Sequence, residues 1–334
     1  MNSFVAILFD DLGPDAGPDA ADTIVQVETV EAALRELGYL SRRIPVSLDL
    51  AATKEALLRL DPAFAFNLVE SLAGQGRLIH LVPALLDAIG LAYTGCDTQA
   101  FFTTNAKPLA KRLLAADEIA TPLWADSAGA SPGPGTWRGP WIVKSVYEHA
   151  SIGLDADAVV QDWAALPDLL ARRRRDHGGA WFVEQFVDGR EFNVGLLADG
   201  TGPEVLPIAE MTFVDFPPGK PRIIDYKAKW QEESFEFRNT VRRFDLPETD
   251  RAVLAAMTDI ALRCWRLFAL RGYARVDFRV DGQGKPWVLE VNANPCLSPD
   301  AGFAAAAKRR GLSPVDFVRR IIADLNRPPR PRKP

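Results

Sequence analysis

The first hundred residues alternate continuous apolar runs with stretches of helical periodicity, and this alternation constrains the fold more than any other feature. Residues 4–9 read FVAILF, an apolar run typical of a buried strand. Apolar residues from Val27 to Leu37 then recur at helical spacing, and this stretch ends at Gly38. Further strands are predicted at residues 44–46, 63–69 and 91–94, and further helices at residues 53–60 and 81–89. Because such alternation joins parallel strands through helices, we predict an α/β fold with an N-terminal doubly wound parallel sheet.

Length and charge limit the classes of protein to consider. A chain of 334 residues predicts two or three lobes. With 39 Lys and Arg against 44 Asp and Glu, the net charge of −5 does not fit a general nucleic-acid binder. No apolar run reaches the ~18 residues of a membrane helix, and the N-terminus lacks the basic segment of a signal peptide. We therefore expect a cytoplasmic protein with neither a nucleic-acid nor a membrane partner.

The sequence after residue 100 predicts a second and a third group of helices and strands. A helix is predicted at residues 107–116, followed by a Pro/Gly-rich loop at 130–140 and strands at 141–146 and 181–187. From Glu191 the pattern is rich in strands, including residues 222–230 (RIIDYKAKW). A long helix is predicted at 248–270, then a strand pair, a final helix and a basic tail. Three cysteines at wide spacing and three histidines predict neither a disulfide framework nor a zinc site.

The densest cluster of polar side chains lies in residues 272–295, GYARVDFRVDGQGKPWVLEVNANP. The DGQG sequence predicts a hairpin turn, and pairing about it puts Asp277 opposite residue 288, diagonal to Glu290. One face should then carry Arg275, Asp277, Glu290 and Asn292, with Leu289 on the other. Two carboxylates and an amide oxygen suit Mg²⁺, which bridges carboxylates to phosphates. The alternative is a polar strand face that only contacts solvent.

Six motifs, in this order along the chain, resemble those of the ATP-grasp superfamily. Five are AYTG (92–95), KPLAK (107–111), WIVKSVYEHASIG (141–153), VEQFVDGREFNVGLL (183–197) and IIDYKAKW (223–230). The sixth is the hairpin that ends in NANP. Roughly residues 4–325 are similar to the D-alanine–D-alanine ligase-like branch of that superfamily.

The resemblance implies a three-lobed ATP-grasp architecture. The lobes would be an N-terminal substrate lobe (1–100), a central lid (101–188) and a C-terminal lobe with the metal-binding hairpin (189–326), followed by a disordered tail (327–334). It implies an ADP-forming carboxylate–amine ligase that uses ATP and two Mg²⁺ ions and works through an acyl phosphate. The partners would be a small-molecule carboxylate and an amine, and the resemblance leaves a homodimer open.

The resemblance also implies a role for each matching residue. Arg275 would face the acyl phosphate and, with Lys229 and Ser151, form the catalytic set. The two Mg²⁺ ions would be held by Asp277, Glu290 and Asn292. The nucleotide would be bound by Lys107 and Lys144 at the phosphates, Glu148 and Ser151 in the closing loop, Glu184 and the backbone of Val187 at adenine, Glu191 at ribose and Lys229 at the γ-phosphate.

The segments that would bind amino acids depart from the family pattern. The Gly-Gly-x-Ser-x-Glu loop is absent from residues 10–23, and Glu70 is the only acid where the family has His-Gly-x-x-Gly-Glu-Asp-Gly. The serine that fixes the acceptor carboxylate falls on Ala301, and the neighbouring Asp300 should repel such a carboxylate. We therefore expect amino-acid-like substrates other than two D-alanines. The alternatives are a genuine D-alanine–D-alanine ligase with divergent substrate loops and a weakly catalytic ATP-binding regulatory protein.

Overall fold

The computed structural model describes residues 4–12, 18–125, 138–149 and 151–325. The first elements build a three-stranded parallel sheet in the order β2-β1-β3. Helix α1 packs on one face, through residues such as Val30, and α2 and α3 pack on the other, through Leu57 and Leu86. The predicted doubly wound sheet is thus present. Its elements and the two helices that follow are β1 (Phe4–Asp10), α1 (Pro18–Glu36), β2 (Leu40–Val46), α2 (Leu50–Leu60), β3 (Phe64–Asn67), α3 (Leu81–Ile89), α4 (Thr98–Asn105) and α5 (Lys107–Ala116).

The prediction of a fourth strand at residues 91–94 is wrong. Only one parallel bridge forms, between Ala65 and Tyr93. The amide of Ala65 donates to Ala92 and the amide of Thr94 donates to Ala65, both at 2.9 Å. At Gly95 the chain takes a φ of 82°, which turns it away from the sheet.

The middle of the chain forms a four-stranded antiparallel sheet in the order β4-β7-β5-β6. Leu166 and Leu169 cover one face of it, against Trp141 and Trp181. The predicted strands at 141–146 and 181–187 are present and shorter by one and two residues. Residues 130–137 of the predicted Pro/Gly-rich loop lie outside the described residues. The elements are β4 (Trp124–Ala125), β5 (Trp141–Ser145), β6 (Val159–Val160), α6 (Leu166–His177) and β7 (Trp181–Gln185).

The last part of the chain contains a six-stranded antiparallel sheet, ordered β11-β10-β8-β12-β13 with β9 beside β8. Helix α9 covers its core face through Met257, Ala261 and Cys264. Its elements are β8 (Gly189–Ala198), β9 (Pro203–Val205), β10 (Ala209–Phe213), α7 (Tyr226–Trp230), α8 (Phe235–Asn239), β11 (Thr240–Arg243), α9 (Arg251–Leu267), β12 (Tyr273–Asp281), β13 (Pro286–Asn292), α10 (Gly302–Arg309) and α11 (Pro314–Ala323).

Two predictions for this region are corrected. Residues 226–230 are helical rather than extended, because Asp225 caps α7 by accepting from the amide of Ala228 at 2.8 Å. The helix predicted at 248–270 begins as a 3-10 turn at Glu248–Asp250 and ends at Leu267, shortly before Ala269 takes a φ of 50°.

The hairpin of β12 and β13 forms with a register that differs from the prediction. Asp277 pairs directly with Glu290 rather than diagonally, because Leu289 is the extra residue of a β-bulge. The bulge changes the phase of the alternation, so Val288 and Val291 are both buried. Leu289, predicted on the apolar face, lines the cleft described below.

The predicted lobe boundaries at residues 100, 188 and 326 stay a prediction, and residues 327–334, predicted as a tail, lie outside the described residues. None of the helices within the described ranges is long and apolar enough to cross a membrane.

Candidate active site

A cleft of about 930 Å³ lies over the face of the six-stranded sheet that is opposite to α9, and it reaches α5, β5 and the start of α10. The long β12–β13 hairpin forms its floor, and the loop after β5 forms part of its wall. Ten of the twelve residues predicted for the site line it. These are Lys107, Lys144, Glu148, Ser151, Glu191, Lys229, Arg275, Asp277, Glu290 and Asn292.

The hairpin presents its oxygen ligands to this cleft. Asp277 is held by Arg275, whose guanidinium donates to the two carboxylate oxygens at 2.7 and 2.9 Å, and by Asn193 at 2.7 Å. Glu290 lies directly opposite Asp277, and Asn292 follows on the same face. Among the described residues no three His, Cys, Asp or Glu side chains gather as a metal cluster. Two carboxylates and an amide fit Mg²⁺, which takes its other ligands from water and phosphate.

His149 ties the loop after β5 to the hairpin, a contact that sequence reasoning did not find. Its Nδ1 lies 2.6 Å from Glu290 Oε1, and its Nε2 lies 2.8 Å from Asn105 Oδ1. Burial raises the pKa of the Glu290 carboxyl, but the charges of Lys107 and His149 outweigh burial and hold that pKa well below its usual value. Glu290 is therefore ionised and available to a cation.

Of the three predicted phosphate lysines, Lys107 is buried, whereas Lys144 is partly buried and Lys229 is exposed at the cleft. Lys107 donates to the carbonyl of Glu148 at 2.8 Å, and burial lowers the pKa of its ammonium group. Partial desolvation by the walls of the cleft, and then the charge of Arg275, lower the pKa of Lys229, although this residue is exposed at the cleft. Ser151 has a φ of 61° and donates its hydroxyl to Ile224 at 2.7 Å, which fixes the far end of the loop. The buried Lys107 ammonium is less hydrated than that of a surface lysine, which strengthens its attraction for phosphate oxygens.

The predicted adenine residues, Glu184 and Val187, are not among those that line the cleft. The Glu184 carboxylate is buried between Lys111 at 2.5 Å and Lys144 at 2.8 Å. Burial raises the pKa of this carboxyl, but the two ammonium groups outweigh it, so the pKa lies below its usual value. The sequence analysis did not predict that Lys111 pairs with Glu184. A carboxylate inside the apolar strand β7 could have indicated a buried cation beside it, because an unpaired buried charge is costly.

Arg279 is a further residue that sequence reasoning missed. Its guanidinium is almost fully buried and lies 2.8 Å from the Glu191 carboxylate, the predicted ribose ligand. It also donates to the carbonyl of Gly189 at 3.1 Å. Arg279 follows Arg275 and Asp277 at every second position of β12, so the alternation is the signal that could have found it. The pairing fixes where Glu191 points.

One end of the cleft is acidic. Asp22 and Glu70 line it, and Asp10 accepts from the amide of Glu70 at 2.7 Å. Gln26 donates to Glu70 at 3.2 Å, and Cys296 donates to Asp22 at 3.0 Å. Burial, and then the charge of Asp10, raise the pKa of Glu70 to about 7. This end therefore favours a positively charged ligand group.

Glu70→Gln should raise stability at pH 8 relative to the wild type and flatten its pH dependence. The folded pKa of Glu70 is raised from 4.5 to about 7. Its contribution is therefore fully present below pH 4.5 and is lost as pH rises through 7, an effect of up to about 3 kcal/mol. Urea unfolding at intervals from pH 4.5 to 8 measures it. The exposed Glu55→Gln provides the control and should follow the wild type; equal pH slopes for both variants would contradict the prediction.

A cation lines the cleft near the start of α10. Asp300 is exposed, and its carbonyl accepts from Arg242 at 3.0 Å. Arg242 lines the cleft beside Ala301 and Gly302. The repulsion expected from Asp300 is thus offset by a guanidinium that sequence reasoning did not place here.

Comparison with known proteins identifies the family. Residues 135–323, more than half of the chain, match the family model described as D-ala D-ala ligase C-terminus. The chain belongs to the D-alanine–D-alanine ligase family. The matched segment contains every predicted site residue of this family member except Lys107.

Relatives of this D-alanine–D-alanine ligase family member extend the match over most of the chain. The uncharacterized protein y4sG of Sinorhizobium fredii is 29% identical over 300 residues, covering 88% of this chain and 85% of that protein. The D-alanine–D-alanine ligase of Aquifex aeolicus is 28% identical over 298 residues, covering 88% and 92%.

A solved structure shares the fold of this family member. The crystal structure of D-alanine–D-alanine ligase from Bacillus anthracis complexed with ATP has a TM-score of 0.70 and 20% identity, and the match covers 97% of both chains. The predicted superfamily, the α/β ATP-grasp fold and the prediction of an ATP-grasp ligase are confirmed.

Proposed function

We propose that the protein is an ATP-dependent, ADP-forming carboxylate–amine ligase that acts on amino-acid-like substrates other than two D-alanines. The observation that carries the proposal is the hairpin face, on which Arg275, Asp277, Glu290 and Asn292 line one cleft with Lys107, Lys144 and Lys229. Paired carboxylates among several cations suit the transfer of a phosphoryl group.

The proposed reaction has two steps. The carboxylate of the first substrate attacks the γ-phosphate of ATP, the bond to the bridging oxygen breaks, and ADP leaves. The amine of the second substrate then attacks the acyl-phosphate carbonyl, loses a proton and expels inorganic phosphate. No covalent enzyme intermediate is needed, so the protein acts by positioning and by neutralising charge.

Each cleft residue has a part in this scheme. Lys107, Lys144 and Lys229 bind phosphate oxygens. Two Mg²⁺ ions, held by Asp277, Glu290 and Asn292, would neutralise phosphate charge when bound. Arg275, fixed by Asp277, faces the carbonyl on which negative charge develops. Glu191, fixed by Arg279, accepts from the ribose hydroxyls. The loop with Glu148 and Ser151 closes over the phosphates and excludes water from the acyl phosphate.

The acidic end supports substrates other than two D-alanines. Asp22, Glu70 and Asp10 place three carboxyl groups near one another, and burial, followed by the charges of Asp10 and Asp22, raises the pKa of Glu70. A single ammonium group would leave part of that charge uncompensated. We therefore propose a substrate with more positive charge than one α-ammonium, bound at Asp22 and Glu70.

A second candidate is the ligation of two D-alanines. Arg242 favours it, because it supplies a cation where the family's serine is replaced by Ala301. The curated relatives named D-alanine–D-alanine ligase also favour it.

ADP release with Mg²⁺ and ATP, across a panel of amino acids, dipeptides and diamines, tests the proposal. We expect ADP and inorganic phosphate in equal amounts with a productive pair, and mass spectrometry of the product identifies the new bond. Release of AMP and pyrophosphate would place the protein in an adenylating class, and no release with any pair would count against a ligase. Efficient D-alanyl-D-alanine synthesis, at a kcat/KM above ~10⁴ M⁻¹s⁻¹, would establish the second candidate.

A further inference from the structure

We propose that Gly76 and Asn105 are positioning residues, which dock the loop after β5 against the segment that follows β3 and so hold this loop over the cleft through protein contacts alone. Neither residue is among those that line the cleft, so both act through the residues of the loop. The docking is independent of the proposed function, whereas its expected effect on phosphate binding rests on that function.

Gly76 touches the loop with its backbone. It is the first residue of a 3-10 turn, Gly76–Leu78, and it is buried. Its amide donates to Glu148 Oε2 at 3.3 Å. A Cβ on Gly76 would lie 2.9 Å from the carbonyl oxygen of Tyr147 and 3.1 Å from Glu148 Oε2. Only a glycine therefore lets the backbone of this turn approach the loop so closely.

Asn105, the last residue of α4, ties the same turn to the side chain of His149. Its Nδ2 donates to the carbonyl of Gly76 at 2.8 Å. Its Oδ1 is therefore the atom that faces the ring, and it accepts from His149 Nε2 at 2.8 Å. Asn105 is buried, so both hydrogen bonds are shielded from water. Losing either bond would leave a buried polar group unpaired.

Two further residues fix the same loop from other elements. Lys107 donates its amide to the carbonyl of Val146 at 3.1 Å and its ammonium group to the carbonyl of Glu148 at 2.8 Å. His149 Nδ1 lies 2.6 Å from Glu290 on the hairpin. The segment after β3, the helices α4 and α5 and the hairpin thus all contact this one loop.

A loop that protein contacts already order should raise the affinity for the part of a ligand that it covers, because binding then immobilises fewer side chains. This loop carries Glu148 and Ser151, which line the cleft together with Lys107. We therefore expect the docking to favour a nucleotide that has its distal phosphates over a nucleotide that lacks them.

Gly76→Ala tests the docking in the protein without a ligand. The added Cβ displaces the carbonyl of Tyr147, and the same peptide unit carries the amide of Glu148, which donates to Ser145 Oγ at 3.1 Å. Hydrogen–deuterium exchange of the full-length protein, read by mass spectrometry with fragmentation to single residues, should therefore be about tenfold faster at that amide. Equal exchange in the wild type and Gly76→Ala would overturn the docking.

Gly282→Ala is the matched control, because a Cβ on this exposed glycine meets nothing within 4 Å. It should leave the exchange of the loop and the affinity for nucleotides unchanged.

Nucleotide affinity tests what the docking does. Isothermal titration calorimetry with Mg²⁺ gives the affinities for AMP and for AMP-PNP, a non-hydrolysable analogue of ATP. Gly76→Ala should weaken AMP-PNP binding about five- to fiftyfold and AMP binding by less than about twofold. Asn105→Ala should do the same, and Asn105→Asp, which keeps an acceptor for His149, should weaken AMP-PNP binding less. Unchanged AMP binding shows that the variants are folded.

The two measurements separate the positioning role from the proposed function. Equal losses for AMP and AMP-PNP, or no loss for either, would overturn the positioning role. If the loop of Gly76→Ala exchanges faster while the wild type binds neither nucleotide, the proposed function fails and the docking stands. If the wild type releases ADP with a substrate pair while Gly76→Ala keeps its full affinity for AMP-PNP, the function stands and the positioning role fails.

Discussion

Replacing Asp277 with Asn, or Glu290 with Gln, should reduce the ADP-forming reaction by at least about 100-fold. Each change removes one negative charge from the pair of carboxylates that face each other across the hairpin. The loss of charge weakens the hold on Mg²⁺ and hence on the phosphates, whereas the shape of the side chain hardly changes. The rate of ADP release at saturating Mg²⁺ and ATP measures the effect.

The stability of both variants and a substitution of an acidic residue outside the cleft provide the controls for this experiment. Both variants should still be folded without urea and unfold in one cooperative transition, since the two carboxylates line the cleft rather than the core. Asp259→Asn, on the exposed side of α9, should leave the rate unchanged. Near-wild-type turnover in both hairpin variants would remove the hairpin from the active site.

Glu184→Gln should lower the free energy of unfolding by about 3 kcal/mol or more. The Glu184 and Lys111 side chains are each only 1% exposed, and the Lys111 ammonium also donates to Thr121 at 2.7 Å. Without the carboxylate, Lys111 is a buried cation with no counter-ion. Lys144 is more exposed and can be solvated. Urea unfolding at pH 7 measures the loss.

A surface ion pair is the comparison for this variant. Asp245 pairs with Arg309 but is 86% exposed, so Asp245→Asn should change stability by less than about 0.5 kcal/mol. If Glu184→Gln lowered the free energy of unfolding by no more than Asp245→Asn does, the buried ion pair would contribute no more to stability than a solvated one. Lys111→Met should be milder than Glu184→Gln, because the remaining carboxylate keeps its contact with Lys144.

The fold could be predicted where the pattern within one element is sufficient. Helix α5 begins at Lys107 and ends at Ala116, as predicted, because its apolar face and the proline of its first turn are local features. The strand predicted at residues 91–94 does not form, since its pairing depends on where Gly95 turns the chain. Helix α7 was missed because one cap, Asp225, outweighs an extended-looking pattern.

The candidate site could be predicted where its residues share one hairpin. Alternation along β12 places Arg275 and Asp277 together, whatever the rest of the fold does. The pairs of Lys111 with Glu184 and of His149 with Glu290 join residues that are far apart in sequence, so only the fold reveals them. Arg242 lay in a segment without a family motif, so its position at the cleft becomes visible only in the fold.

The bulge at Leu289 also sets where this hairpin tolerates changes in length. With the bulge, Val288 points into the core and Glu290 points into the cleft. If Leu289 were missing, Phe278 would still pair with Val288 and Asp277 with Glu290, and the two pairs would be neighbours in a regular antiparallel ladder. A homologous chain can therefore carry a one-residue gap at Leu289 and keep both carboxylates facing each other. A gap at Val291 would instead invert Asn292, so an alignment that places its gap there assigns the wrong ligand.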